Sequence, residues 1–440
     1  MLRRRLVYNT ALLTGSSLLM SCIGMAFQVW LVGRIGSAGI GLYQLTLSVT
    51  NLGATLAISG IRFATTRLVS EELGYENPGG IRQAMTRCLL YGGFFGVASG
   101  LILWLLAEPL GFLWIGDART VLSLRIAAFS MPCIALCAAV SGYFTASGRV
   151  WKPTLVHLLE QVAGILLVAF FLRRAPAFDL EKSCAAVTRG RLAADVLALL
   201  LMLLVYWGDR QHYYEAAGDG QALTTRMLRI ALPLAVSAYA RSALNTIQHL
   251  LVPRGLRASG FSADGALSGY GTIQGMALPV VLFPSCLLSA AAELVVPELT
   301  EAQMRGETMV IRRLSRKLLG MSLGFSCSMA AFLFLFADPL GIGIYKNADA
   351  GYYIRILAPL VPVMYTDMMV DGCLKGLGQQ VWSMGINIID SLTSLLLVWQ
   401  FLPSYGLTAY LAIIYFTESL NFVLSLLRLR RCLRDQAVKP

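Results

Sequence analysis

The sequence predicts an all-α polytopic membrane protein with twelve transmembrane helices in two six-helix lobes, related by a pseudo-two-fold axis along the membrane normal. Composition, the spacing of apolar segments and an internal repeat lead to this fold class. Of 440 residues, 57% are hydrophobic and 14% are charged, with a mean hydropathy of +0.66. Soluble domains are about 45–50% apolar and about 25% charged. The composition excludes a soluble enzyme, a disordered chain and a disulfide scaffold, and barrel strands would alternate in short segments instead.

Apolar segments of about 20 residues, enough to cross a bilayer as a helix, recur along the chain. The first follows Arg3, Arg4 and Arg5 and continues past Cys22, so we predict an uncleaved first helix rather than a signal peptide. The twelve predicted spans lie near residues 7–33, 39–66, 86–107, 119–147, 153–172, 184–207, 226–252, 266–296, 315–337, 351–375, 382–402 and 405–427. Several contain prolines that predict kinks: Pro132, Pro279, Pro284 and Pro362.

A polar segment divides the spans into two sets of six. We predict an N-terminal lobe at 1–207, a cytoplasmic linker at 208–225 and a C-terminal lobe at 226–440. A shift of 230 residues relates the halves: it places Glu108 on Asp338 and Arg125 on Arg355. Because six spans per repeat is an even number, both repeats insert in the same orientation, as in transporters that carry a site at the repeat interface.

The distribution of basic residues predicts the orientation. The net charge is +12, with 36 Lys and Arg against 24 Asp and Glu. If the N-terminus is inside, the inner segments hold about twice as many Lys and Arg as the outer ones, which fits the positive-inside rule. We therefore predict a multi-pass protein of the cytoplasmic membrane with both termini cytoplasmic. The rule also accounts for the basic excess without a nucleic-acid partner.

The sequence contains no motif for catalysis. It has no Walker A loop, no His-Glu-x-x-His zinc motif and no Gly-x-Ser-x-Gly nucleophile elbow. The three His residues are dispersed, and the nine Cys residues are scattered, which favours structural thiols over a metal site. We predict a monomer that is not an enzyme and has no metal or cofactor; protons and sodium are the candidate coupling ions.

Ionisable residues inside predicted spans are the candidate functional residues. An Arg or Asp at a helix centre costs about 2.5–3.5 kcal/mol, so such residues normally face the bundle interior or a wet cavity and mark an ion or substrate path. The set comprises Arg62, Arg125, Glu160, Asp195, Arg241, Glu293, Arg355, Asp367, Asp371, Asp390 and Glu418.

These residues divide by charge into two roles. Arg62 and Arg241 are candidates for substrate binding in a cavity. Four acids are candidates for ion coupling, with helix-packing hydrogen bonds as the open alternative: Glu160, Asp195, Asp390 and Glu418. Arg125 and Arg355 lie within about two turns of predicted span ends, so snorkelling remains open beside binding.

A basic rim is predicted on the outside. Arg189 and Arg191 open the sixth span, and Arg173 and Arg174 precede them. This placement goes against the charge bias. Arg189 and Arg191 are therefore candidates for contact with a polyanionic substrate, with an ordinary external loop as the alternative.

Several motifs, in this order and spacing, resemble the stage V sporulation protein B group of oligosaccharide flippases over nearly the whole chain. They are Gly39-Ile40-Gly41-Leu42-Tyr43-Gln44, Ser59-Gly60-Ile61-Arg62, Ser141-Gly142-Tyr143-Phe144, Val252-Pro253-Arg254-Gly255 and Tyr270-Gly271-Thr272-Ile273-Gln274-Gly275. The resemblance implies the multidrug/oligosaccharidyl-lipid/polysaccharide exporter superfamily, with two lobes around a central cavity. In its flippase branch cavity cations engage the pyrophosphate, a role that would fall on Arg62 and Arg241.

Three functions follow as hypotheses. The first is a flippase that moves an undecaprenyl-pyrophosphate-linked oligosaccharide, an anionic lipid-linked glycan, outward by alternating access. Its partners would be this substrate and membrane lipid, and the product would serve wall, polysaccharide or spore-cortex synthesis. The second is a cation-coupled multidrug extruder of the same fold, and the third a scaffold that does not transport.

Overall fold

The computed structural model describes residues 2–75, 78–174, 179–210 and 223–435, and these ranges form helices without a β-strand among them. The predicted all-α fold is therefore confirmed. The N-terminal half holds α1 (Leu2–Ile58), α2 (Ile61–Gly74), α3 (Pro78–Leu105), α4 (Ala107–Pro109), α5 (Val121–Ala128), α6 (Ser130–Ala146), α7 (Trp151–Arg174) and α8 (Leu180–Arg210). The C-terminal half holds α9 (Leu223–Ala258), α10 (Ala263–Thr272), α11 (Leu278–Leu282), α12 (Ser285–Met304), α13 (Thr308–Leu335), α14 (Ala337–Tyr345), α15 (Ala348–Leu357), α16 (Val361–Gly376) and α17 (Gln380–Asp435).

The helices agree with a twelve-span layout. Seven described helices are long and apolar enough to cross a membrane, and two bent pairs raise this number to nine. Two of the seven are 61 and 55 residues long, which is enough for two spans each. Non-helical Gly36 and Gly406 bend α1 and α17 within these long segments. The remaining predicted span is α9, which is 36 residues long and interrupted by several arginines.

Two of the prolines that predict kinks, Pro132 and Pro284, lie close to observed bends. The helix pair that ends at Ala146 is bent by 42° at Phe129, one turn before Pro132. The pair that begins at Ala263 is bent by 58° at Phe283 and Pro284. A proline lacks the N–H that the preceding turn needs, so the helix changes direction there.

The chain folds into two compact units. Unit 1 comprises Met1–Ser16 and Leu42–Thr246, and unit 2 comprises Ser17–Gly41 and Ile247–Pro440. Helices α1 and α9 are each divided between the two units. The units therefore do not follow the lobe boundaries predicted from the sequence. Most of the predicted linker, residues 211–222, lies outside the described residues.

The core of unit 1 is built from α2, α3, α6, α7 and α8. Met85, Tyr143, Phe144 and Met202 are almost fully buried in it. Tyr143 packs edge-to-face on both Phe144 and Tyr206, with ring centroids 5.2 Å apart in each pair. This packing fixes α6 against α8 and so positions the polar residues one to two turns away on the same helices.

Unit 2 contains a close helix crossing between repeat-equivalent glycines. A Cβ on Gly41 would lie 2.2 Å from the Leu267 carbonyl oxygen, and a Cβ on Gly271 would lie 2.2 Å from the Ser37 carbonyl oxygen. Gly41 and Gly271 are 230 positions apart, as are Ser37 and Leu267. The crossing therefore has the self-complementary form of an isologous contact.

An ion pair is also duplicated. Arg125 Nη2 lies 2.7 Å from Glu108 Oε1 in unit 1, and Arg355 Nη2 lies 2.5 Å from Asp338 Oδ2 in unit 2. The same shift of 230 relates both members of the pair. Both arginines thus have acidic partners within their own unit, which accounts for their place near the span ends without a substrate.

Candidate functional site

The candidate site of unit 1 begins at the break between α1 and α2. Ser59 (φ 43°) and Gly60 (φ 70°) both have left-handed backbone conformations. A Cβ on Gly60 would lie 2.6 Å from the carbonyl oxygen of Ala231 on α9, so glycine is required there. The break places Arg62 in the first turn of α2.

A hydroxyl network supports this break. Ser59 is fully buried, and its Oγ lies 2.8 Å from the Tyr91 hydroxyl oxygen and 2.6 Å from the hydroxyl oxygen of Tyr239. Tyr91 belongs to α3 and Tyr239 to α9. Since both helices hydrogen-bond to the same turn, the direction in which α2 leaves it is fixed.

Arg62 lines a cavity of about 170 Å³ between α2, α6, α7 and α8. Its other polar lining residues are Ser141, His157, Glu160 and Asp195. The rest of the wall is apolar or thiol: Ile58, Cys133, Ile134, Cys137, Ala138 and Ala198. Three candidates that lie far apart in the sequence, Arg62, Glu160 and Asp195, therefore share one cavity.

Both acids of the cavity have polar partners. His157 Nδ1 lies 3.0 Å from Glu160 Oε2, one turn away on α7. Asp195 is hydrogen-bonded to Ser130 and is within electrostatic reach of Arg191 and Glu160. The cavity can therefore hold a cation or a proton on its acids, and Arg62 lines it too.

Arg62 and Arg241 are alike in their surroundings although they are not in the same pocket. Both side chains are exposed, and neither forms an ion pair within the described part of the chain. Arg241 does not line the cavity of Arg62. Two residues advance a helix by about 200°, so Arg241 points away from the face on which Tyr239 contacts α1.

The two outer-rim candidates differ from each other. Arg189 is exposed, between the buried residues Thr188 and Gly190. Arg191 is also exposed, but its charge acts on Tyr43, Asp195 and Glu160. Arg191 is thus electrostatically connected to the acids of the cavity, whereas Arg189 is not brought near them.

In unit 2 the acidic candidates lie near one another. Glu418 is within electrostatic reach of Asp390 and Asp367. One carboxylate oxygen of Asp390 and one of Asp367 are buried without a hydrogen-bond partner among the described residues. Asp371 instead pairs with Lys375 at 2.6 Å and accepts a hydrogen bond from Ser383. The side chain of Glu293 lies outside the described residues.

The repeat relates the two acidic groups but not the cation. The shift of 230 places Glu160 on Asp390 and Arg62 on Ala292. The packing agrees with this alignment: Gly142 lies against Arg62, and its equivalent Gly372 lies against Ala292. Of the two repeats, the first alone has a guanidinium at this position.

Sequence reasoning underestimated two residues. The three histidines are dispersed in the sequence, so the pattern does not predict a site role for His157. Its spacing of three residues from Glu160 on one helix is nevertheless typical of a side-chain contact, and the structure contains that contact. Asp367 was one of many charged span residues, and its proximity to Asp390 and Glu418 depends on the packing of α16 against α17. Within the ranges described above, no group of three His, Cys, Asp or Glu residues has metal-binding geometry.

This chain is similar in sequence and in fold to known proteins. The MatE family model matches residues 13–170. Stage V sporulation protein B of Bacillus subtilis is 22% identical over 422 residues, covering 94% of this chain and 82% of that protein. Sporulation protein YkvU of the same organism is 20% identical and covers 86% of each chain. The resemblance to the stage V sporulation protein B group is confirmed.

Multidrug transporters are also relatives. A probable multidrug resistance protein NorM of Acinetobacter baylyi is 24% identical over 391 residues, covering 82% of this chain and 83% of that protein. An inward-facing multidrug resistance MATE family transporter of the MOP superfamily superposes with a TM-score of 0.75 at 14% identity, covering 96% of each chain.

A second solved structure comes from Pyrococcus furiosus. This MOP superfamily transporter, described as having a binding pocket of reversed polarity that suggests a different function, superposes with a TM-score of 0.66 at 14% identity, covering 98% of this chain and 96% of that chain. The chain thus has the fold of MATE transporters.

Proposed function

We propose that this transporter flips an anionic lipid-linked glycan, of the undecaprenyl-pyrophosphate class, outward across the cytoplasmic membrane. One observation carries the proposal: Arg62 and Arg241 present exposed guanidinium groups without an ion pair among the described residues. Unpaired cations inside membrane helices are costly unless an anion meets them. A pyrophosphate suits guanidinium groups because it accepts paired, charge-assisted hydrogen bonds.

The ion pairs elsewhere in unit 1 support this interpretation. Arg67 pairs with Glu71 at 3.0 Å, and Lys152 pairs with Asp209 at 2.7 Å. Glu160 and Asp195 line the same cavity as Arg62 but bond to His157 and Ser130. Arg62 therefore stays available for an external anion. In the proposed mechanism the sugar-pyrophosphate enters a hydrated cavity, the prenyl tail stays in lipid, and the product serves wall, polysaccharide or spore-cortex synthesis.

The remaining candidate residues would assist transport by coupling ions or by contacting the substrate at the outer rim. Glu160, Asp195, Asp390 and Glu418 would couple transport to protons or sodium, since each is a partly buried carboxylate in a spanning helix. Arg189 and Arg191 would meet the phosphates at the outer rim. Both termini would be cytoplasmic, and the protein would act as a monomer.

Replacing the two arginines tests the proposal. Reconstituted vesicles containing a fluorescent undecaprenyl-pyrophosphate oligosaccharide should lose flipping by about tenfold to a hundredfold in Arg62→Ala and in Arg241→Ala, because hydrogen bonds to charged groups are worth about 1.5–3 kcal/mol. Arg62→Lys should retain part of the activity, since it keeps the charge but loses the fork geometry.

Arg67→Ala is the matched control for Arg62→Ala. Arg67 lies on the same helix and is exposed, but it already pairs with Glu71. Surface pairs of this kind contribute about 0–1 kcal/mol, so this variant should flip the glycan at the wild-type rate. Wild-type flipping in both Arg62→Ala and Arg241→Ala would refute the phosphate contact.

Multidrug extrusion is the second candidate, and one observation favours it: Glu160 and Asp195 line the cavity that Arg62 lines. Carboxylates can hold a lipophilic cation. An extruder should protect a drug-sensitised host, and this protection should disappear in Glu160→Gln and Asp195→Asn but persist in Arg62→Ala. A flippase gives the opposite dependence on Arg62.

A further inference from the structure

One end of unit 2 carries a group of cations on two adjacent helix ends. The start of α13 and the end of α17 are joined by Arg312, whose Nε and Nη2 donate to the Leu433 carbonyl oxygen at 3.3 and 3.2 Å. Ile311 of α13 and Leu429 of α17 are buried in the same core cluster. We name the six exposed cations of these two ends the basic corner: Arg313, Arg316, Lys317, Arg430, Arg431 and Arg434.

The cations of the basic corner lack acidic partners among the side chains that the structure describes. None of the six forms an ion pair with another residue in the described ranges. Six like charges on two neighbouring helix ends repel one another unless counter-charges gather there. The corner therefore favours a polyanionic surface over a single small ligand.

At the corresponding end of unit 1, several cations pair with acids of the same unit. Arg226 pairs with Glu71 and, at 3.6 Å, with Glu72. Arg149 and Lys152 both pair with Asp209. A general excess of positive charge near membrane ends would apply to both units alike. The basic corner differs from these residues, because none of its six cations pairs with an acid among the described side chains.

Exposed apolar and aromatic side chains lie near Arg428, which precedes the α17 members of the basic corner. The Arg428 guanidinium lies 4.2 Å from the ring centroid of Trp382, and its Nη2 donates to Gln379 Oε1 at 2.6 Å. Trp382 is 55% exposed, and Val381 is 82% exposed. An exposed tryptophan beside arginines is typical of the depth at which lipid headgroups meet acyl chains.

We propose that the basic corner binds the headgroups of anionic phospholipids and so anchors unit 2 to a negatively charged leaflet. Each Lys or Arg near such a surface contributes about 1 kcal/mol, within a Debye length of about 8 Å at physiological salt. Guanidinium groups bind lipid phosphates through paired hydrogen bonds, while Trp382 and Val381 enter the interface. Anionic lipid, rather than an acidic protein, is favoured because the exposed Trp382 packs against Arg428, two residues before Arg430 on the same helix.

The test is a lipid titration of the purified full-length protein in detergent, followed by native mass spectrometry. Wild-type protein should bind phosphatidylglycerol at least tenfold more tightly than phosphatidylcholine, and added salt should reduce the difference. The triple variant Arg430→Gln, Arg431→Gln, Arg434→Gln should lose most of this preference. Equal binding of both lipids by the wild type, or an unchanged preference in the triple variant, would overturn the proposal.

Two further variants separate lipid recognition from folding. Arg430→Lys, Arg431→Lys, Arg434→Lys keeps the charges and should keep the phosphatidylglycerol preference within about threefold, since the surface term depends on charge. Arg305→Gln removes an exposed cation that already pairs with Glu301 at 2.5 Å, and it should behave as wild type. If Arg305→Gln lost the preference as fully as the triple variant, the effect would be one of net charge and the corner would not be a site.

Discussion

At Gly60 a single missing Cβ decides where α2 begins. The residue has φ 70° and lies against the Ala231 carbonyl oxygen, so any side chain there would meet both a strained backbone and a steric clash. Arg62 depends on this turn for its place on the cavity wall. The proposed role of Arg62 is therefore sensitive to a residue that does not line the cavity.

Gly60→Val should destabilise the protein by about 1–3 kcal/mol, the cost of a non-glycine residue held in a left-handed conformation. A thermal melt of the purified variant should show a lower midpoint, and Arg62-dependent transport should fall with it. Gly74→Ala is the control, because a Cβ at Gly74 meets nothing within 4 Å and the residue lies in the same helix. A melting midpoint in Gly60→Val equal to that of Gly74→Ala would contradict the strained-turn account.

Asp209 is the second residue on which local structure depends. It is 5% exposed, accepts a hydrogen bond from the Tyr143 hydroxyl at 2.8 Å, and pairs with Arg149 and with Lys152 at 2.7 Å. These contacts join the end of α8 to the turn between α6 and α7. Removing the carboxylate would leave two cations without their shared acid.

We expect Asp209→Ala to lower the free energy of unfolding by about 1.5–3 kcal/mol, the range for hydrogen bonds to charged groups. The measurement is a denaturation curve in detergent. Glu301→Gln removes an exposed pair with Arg305 and should leave the curve unchanged, because surface pairs contribute little. Equal effects of the two substitutions would show that burial of Asp209 is unimportant.

At the scale of helices, the crossing of Gly41 and Gly271 is a close backbone contact within unit 2. Small residues let membrane helices approach until their backbones touch, which replaces the hydrophobic driving force that lipid removes. The crossing uses the same glycine from both repeats.

Gly271→Ala should disrupt this crossing, because its Cβ would lie 2.2 Å from the Ser37 carbonyl oxygen. Overpacking of this kind costs about 1–3 kcal/mol, so the melting midpoint should fall. Gly324→Ala, where a Cβ meets nothing within 4 Å, should melt as wild type. A melting midpoint of Gly271→Ala equal to that of the wild type would contradict this prediction, because it would mean that α1 and α10 can move apart here at little cost.

At the scale of the molecule, the exchanged halves of α1 and α9 make each repeat incomplete alone. Residues 17–41 pack with unit 2, and residues from 223 to 246 pack with unit 1. A chain cut after residue 215 would therefore deprive each half of a helix segment that its unit requires.

Fragments 1–215 and 216–440 expressed separately should be degraded or aggregate, whereas co-expression should give a complex that co-elutes on size exclusion. The reason is that the exchanged segments bury apolar surface only when both fragments are present. Stable, monodisperse accumulation of either fragment by itself would contradict this expectation. An intact chain expressed in parallel provides the reference yield.

The sequence by itself determined the all-α fold, the positions of the spans and the duplication, because each depends on local apolar length or on aligned residues such as Arg125 and Arg355. Packing decided that Arg62, Glu160 and Asp195 share one cavity and that Arg241 lies outside it, since α2, α7 and α8 meet through contacts between distant segments. Packing also brought Asp367 near Asp390 and Glu418 and placed His157 in contact with Glu160. The division of α1 and α9 between the two units likewise depends on tertiary contacts. Hydropathy is a property of each segment alone, whereas a pocket depends on which helix faces meet, and that is settled only by tertiary contacts.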